Sequence, residues 1–350
     1  MSHGRLVFGY LALTGITAGL TSALSVSPVL AAESAQVSVD PEAVARENWR
    51  AFMVQNPASE DGCFQAAYPS YLWEKVQCKV AEHPRFHPVA RKAHNSNNLE
   101  VTGNGNDFVA KAAGLISKAL GTFPTVTGVR TERSVGVAAF GDGGILGPNE
   151  FSLQINSNFT GTTAACAGHS GCTVWQQFVY APDFAVQGEA AVFIESWLIN
   201  FGSSACPAGF ESDGEGDCVI NSAFAAAPDE PITSLGKLTL SGSATAGGND
   251  VVVFSNGTTA YSLSAKDSVV DIAQVWTEAE FNVVGNAGGS RANFNTGSSV
   301  TVKLALTDGS TSAPTCVANA GTTGETNNLN LHTCSTAGGT TPSIQFTESN

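Results

Sequence analysis

The sequence predicts an all-β protein whose main domain is a curved antiparallel β-sandwich of jelly-roll or concanavalin-like shape. Three observations carry this. From residue 99 onward, short runs of β-formers alternate with clusters of Gly, Ser, Thr and Asn, with no convincing helix among them. In the run SVTVKLAL, Val300, Val302, Leu304 and Leu306 alternate with Thr301, Lys303, Ala305 and Thr307, as in a strand with one buried face. Third, 37 glycines and only 13% charged residues among 350 exclude a coiled coil or a charge-driven disordered chain, while 43% hydrophobic residues suffice for a core.

Taken in order, residues 1–31 carry one early cation, Arg5, an apolar run from Leu6 to Leu24 and a small-residue end, as a cleavable signal peptide does. The run is diluted by Gly15, Gly19 and three threonines, so a permanent membrane anchor is disfavoured, and a secreted protein without stable membrane association is expected. Residues 32–98 have a different texture. PEAVARENWRAFMVQN predicts a helix capped by Asp40 with Pro41 in its first turn, and Val44, Trp49, Phe52 and Met53 gathering toward one face. A Cys-bracketed loop and the basic run HPRFHPVARKAH follow. The β domain spans 99–350; its runs include EFSLQINSNF, TVWQQFVY, AAVFIESWLINF, KLTLSGSA and DVVVFS, whereas NDFVAKAAGLISKAL also fits a helix.

Eight cysteines beyond a signal peptide imply disulfides in an oxidising compartment. Proximity pairs Cys63 with Cys78, Cys166 with Cys172, Cys206 with Cys218 and Cys316 with Cys334. A formal charge of −14 disfavours nucleic acid as a partner, because phosphate-backbone affinity comes largely from basic side chains. Residues 33–98 hold seven basic and eight acidic residues, against eight and 22 for residues 99–350. Mild acid would charge His83, His87 and His94 and make the smaller segment cationic beside an acidic domain, an arrangement that suits an inhibitory pro-segment docked by charge and released by acid.

Several chemistries are missing. GHSGC at 168–172 lacks the spacing of a serine nucleophile elbow, there is no HExxH, and the Gly-rich strings are not followed by helices that could cradle phosphate. No metal ligand set and no cofactor are expected. Carboxylates remain. Glu195 lies inside the apolar strand AAVFIESWLINF, where an acid must be paired, hydrogen-bonded or raised in pKa. In AQVWTEAEFNVVG, Glu278 and Glu280 are two apart and so share one strand face, expected to include Trp276. Such acids in one cleft could divide the roles of acid and base.

At these residues a resemblance appears. FIESWLI resembles the IExGW strand of the neprosin family of glutamic peptidases and the ILQTGV strand of the eqolisins, where Gln takes the place of Glu. WTEAEFNVVGNAGGSRANF is similar to the eqolisin WIVEDF strand with its Gly-rich continuation, and NDFVAKAAGLISKALGTFPTV resembles the first eqolisin strands, which argues for strands there. The YxxWYEW segment of eqolisins has no counterpart. The resemblance implies a secreted acid-acting endopeptidase, made as a zymogen with residues 32–98 as pro-segment, acting as a monomer on polypeptides. It implies Glu195 as the first catalytic residue. Counting back from Phe294 selects Glu280 as the second, whereas a spacing of three from Trp276 falls on Ala279, so Glu278 stays a candidate beside Glu280. Trp175, Trp197 and Trp276 are candidate substrate-binding platforms. Two alternatives use the same residues: a retaining glycoside hydrolase with paired carboxyl groups, and a non-catalytic carbohydrate-binding or adhesion sandwich.

Overall fold

A computed structural model of the chain describes residues 40–82, 85–88, 107–136, 144–202 and 205–350. The expected signal peptide, His83, His94 and the whole of residues 89–106 lie outside the described residues. Two large antiparallel sheets form the sandwich. The first runs in the order Glu74–Val76, Cys63–Ala67, Thr259–Lys266, Asn249–Ser255, Thr239–Ser243, Lys118–Thr127, Ser299–Thr307, Ser343–Ser349, Asn330–Ala337. The second carries the functional candidates, in the order Glu211–Ser212, Cys218–Asn221, Ala191–Ile199, Thr173–Ala181, Phe151–Ser157, Glu278–Gly285, Phe108–Lys111, Thr315–Ala318. A four-stranded sheet is built from Thr326–Asn327, Ser290–Phe294, Glu132–Gly136 and Gly147–Pro148.

Apolar residues from both large sheets meet in one core. Ile155, Phe178, Ile194 and Phe281 of the second sheet share it with Leu240, Phe254, Leu263 and Leu304 of the first. Glycine makes the closest approaches possible. A Cβ on Gly242 would lie 2.2 Å from the Phe178 ring, and one on Gly121 would lie 2.3 Å from Phe281, so each ring of the second sheet rests on bare backbone of the first.

The segment around NDFVAKAAGLISKAL forms two strands, Phe108–Lys111 and Lys118–Thr127, one in each large sheet. Its helix-like spacing loses to pairing on both sides, since Ala119, Gly121 and Phe123 can then face the core. The predicted helix is present as Pro41–Gln55, with the Asp40 carboxylate accepting from the Glu42 N–H at 3.0 Å. Its buried face is Trp49, Met53 and Val54; Val44 and Phe52, expected there, are each 43% exposed. Trp49 and Met53 pack on Ala66 and Ala260, partners in adjacent strands of the first sheet. The early segment is therefore not a detached body: Cys63–Ala67 extends that sheet by pairing with Thr259–Lys266. All four cysteine pairs are bonded as proximity predicted.

Candidate active site

Side chains alternate along each strand, so the second sheet has a face away from the core. On that face four residues stand in register across four adjacent strands: Glu195 opposite Gln177, Gln177 opposite Asn156, and Asn156 opposite Glu280. Three strand spacings separate the backbones of Glu195 and Glu280 by about 14 Å. The two amides fill that interval. Asn156 Nδ2 donates to Glu280 Oε2 at 3.3 Å and to Gln154 Oε1 at 3.3 Å. The Gln177 amide lies 2.9 Å from Glu195 Oε1 and 3.0 Å from the His87 carbonyl, and its NH2 is assigned to these two acceptors. The four side chains thus form one polar row with a glutamate at each end.

The face is covered. Glu195 is 0% exposed and Glu280 1%. Residues 85–88 and the loop at 319–325 lie over the row and meet where the Gly324 N–H donates to the Pro88 carbonyl at 2.7 Å. The His87 N–H donates to Glu195 Oε1 at 2.9 Å, and the Phe86 carbonyl accepts from the Gly288 N–H at 2.9 Å. The His87 ring lies with Nδ1 3.8 Å from Glu195 Oε2 and Nε2 2.6 Å from the Asn286 carbonyl. Burial pulls the imidazole pKa down, but the hydrogen bond to Glu195 and the charges of Glu325 and Glu195 outweigh it, leaving it raised.

At the other end, Thr322 donates to Glu280 Oε2 from its backbone N–H at 2.5 Å and its hydroxyl at 3.0 Å. Beside Glu280 sits Asp107, whose pKa burial lifts well above the carboxylate range, helped by the charge of Glu280 and a hydrogen bond to it. Two buried carboxyl groups that close share a proton more readily than both ionise. Asn282 donates from Nδ2 to Asp107 and, at 3.3 Å, to Glu348, whose pKa burial pushes up to about 8.

No family model matches this chain, and no curated protein does either. Among solved structures, the chain is similar to scytalido-glutamic peptidase with a peptide-based transition-state analogue, at 12% identity and a TM-score of 0.32, over 70% of this chain and 98% of that one. A second structure of that peptidase, with a transition-state analogue inhibitor, matches at 13% identity and a TM-score of 0.28, over 70% and 98% of the two chains. SCP-B, a member of the eqolisin family in complex with the tripeptide Ala-Ile-His, matches at 12% identity and a TM-score of 0.27, over 69% and 98%. At that level of likeness the functional argument rests on the side chains of this chain.

Of the six site residues expected from sequence, four gather on the covered face. Glu195 and Glu280 end the polar row; Trp197 Nε1 donates to Glu195 Oε1 at 2.9 Å, and Trp175 Nε1 donates to Thr322 Oγ1 at 3.1 Å. Glu278 stands on the same strand face as Glu280 but at the strand end, where it is part-exposed and ion-paired to Lys111 at 2.9 Å. Trp276 is displaced from the expected face. The strand begins only at Glu278, and the indole turns into the inter-sheet core against Phe178, with ring centroids 5.5 Å apart. Sequence reading also passed over Gln177, Asn156 and Asp107. The rule that singled out Glu195, a polar side chain in an apolar strand, applies equally to WQQFVY and FSLQINS.

Proposed function

We propose that this protein is a secreted, acid-acting endopeptidase of the glutamic type, made as a zymogen, with residues 85–88 holding the site closed. One observation carries the reading: a peptide already lies on the row, its N–H on Glu195 and its next carbonyl on Gln177. A substrate in the same track would present its carbonyl between the two glutamates. Glu280, with the proton-holding Asp107 beside it, takes a proton from water as the water oxygen adds to the carbonyl carbon. Gln177 donates to the oxygen on which charge develops, joined by Glu195 once protonated. The C–N bond then breaks and the amine leaves with a proton. Secretion is supported by the leader and the four disulfides.

The way the site opens departs from simple charge release. Protonated His87 is held by the acids it faces, Glu195 and Glu325, so mild acid tightens the contact. Release follows as further acid protonates Glu325, whose pKa burial raises. The reading is tested by acidifying the full-length protein to about pH 3.5 and following removal of its N-terminal segment and digestion of a denatured protein. Glu195→Ala and Glu280→Ala should each lower the rate by roughly 10²- to 10⁴-fold. Full activity in both variants ends the proposal.

A further inference from the structure

The side chain of Phe86 fills a place that the carboxylate chemistry does not explain. It is half-buried against a floor of Trp175, Trp197, Ile199 and Val219, all of them at most 1% exposed. Its ring meets Trp197 edge-on, with centroids 6.1 Å apart and planes at 75°, and Trp197 in turn lies 6.0 Å from Trp175. Such pairings favour an aromatic occupant beyond the area it buries. Both indoles are fixed from outside the pocket, Trp197 by Glu195 and Trp175 by Thr322, which itself holds Glu280. The floor is thus tied to both ends of the polar row.

The backbone sets the register. Gly288 takes the Phe86 carbonyl, Glu195 and Gln177 take the N–H and carbonyl of the next residue, and Gly324 takes the carbonyl after that. A peptide held by these contacts must drop onto the tryptophan floor the side chain that precedes the residue whose carbonyl faces Gln177. A cavity of about 160 Å³, lined by Phe184 and Val219 and also by Glu82, Glu211 and Asn221, adjoins the Phe86 side chain.

We infer that this pocket is the specificity subsite, and that the substrates are peptides with an aromatic side chain at the second residue on the amino side of the bond broken. The inference rests on the peptidase reading. Water supplies the hydroxyl to the carbonyl carbon and the proton to the departing amine, so no further reactant is needed.

The test uses the full-length protein in acid with a randomised peptide mixture, the cut sites being read by mass spectrometry. Phe, Tyr and Trp should be enriched at least ~10-fold at the second position before the cut, the scale on which a pocket discriminates by apolar fit. Val219→Trp, which fills the floor, should abolish that preference. Cleavage with no aromatic preference, or with the preference at another position, overturns the inference and leaves the peptidase reading standing. If nothing is cleaved, the peptidase reading fails and the pocket is read by binding instead. In full-length Phe86→Gly, N-acetyl-phenylalaninamide should raise Tm where N-acetyl-alaninamide does not, and equal responses to the two amides would remove the pocket as an aromatic site.

Discussion

Glu348 offers a direct measure of how strongly a buried carboxyl group ties the stability of this fold to pH. Its side chain is fully buried, accepting from Asn282 Nδ2 at 3.3 Å and Asn327 Nδ2 at 3.1 Å, and desolvation lifts its pKa from 4.5 to about 8 despite both bonds. Between those values the folded state keeps a proton that the unfolded chain has released. Stability is therefore full below about pH 4.5 and falls as pH rises toward 8. At about 1.4 kcal/mol per pKa unit, ionising this one group in place costs on the order of 5 kcal/mol. Glu132 and Asp250, each lifted to about 8 mainly by burial, act in the same direction. Glu348→Gln keeps the shape and the acceptor oxygen but cannot ionise. Thermal melts of both proteins from pH 4 to pH 8 should show the wild type losing more, by up to about 10 °C at roughly 2 °C per kcal/mol. Equal losses in the two proteins would show that Glu348 does not hold its proton in the folded state.

Three further outcomes are expected. His87 contributes stability below its unfolded pKa of about 6.5 and loses it as pH rises through its raised folded value; His87→Ala should therefore start acid processing at higher pH than the wild type, as read by the appearance of the shortened chain on gels. Asp107→Asn cannot lose the proton that burial and Glu280 hold on Asp107, so any activity it retains should persist to higher pH than that of the wild type in a rate profile against a denatured protein. Gly242→Ala places a methyl 2.2 Å from the Phe178 ring, and the forced shift should cost about 1–3 kcal/mol in urea unfolding at pH 4.

The fold was legible where one local rule acted alone. Asp40, Pro41 and the apolar spacing that follows mark a helix start, and the helix forms there; yet Phe52 and Val44 stay exposed, because the face that packs is chosen by the sheet beneath it and not by the helix. Close cysteine pairs within one chain needed only short loops to meet. NDFVAKAAGLISKAL was ambiguous because its period fits a helix, while the neighbours that make it two strands are Thr239–Ser243 and Glu278–Gly285, more than a hundred residues away. The second sheet was harder to read for a related reason. Its strands 151–157 and 191–199 are buried on both faces, so alternation of apolar and polar residues no longer separates inside from outside.

By itself the sequence determined the all-β class, the disulfide pairs, and that Glu195 and Glu280 are carboxylates in surroundings that demand an explanation. These follow from local spacing and from the cost of burying charge. Only the tertiary structure decided that Gln177 and Asn156 stand between those glutamates, that Asp107 sits beside one and His87 covers the other, and that Trp276 belongs to the core. Each of those facts is a register across strands or a contact between distant segments. Register is set by which faces two sheets bury against each other, and no window of the sequence contains both sheets.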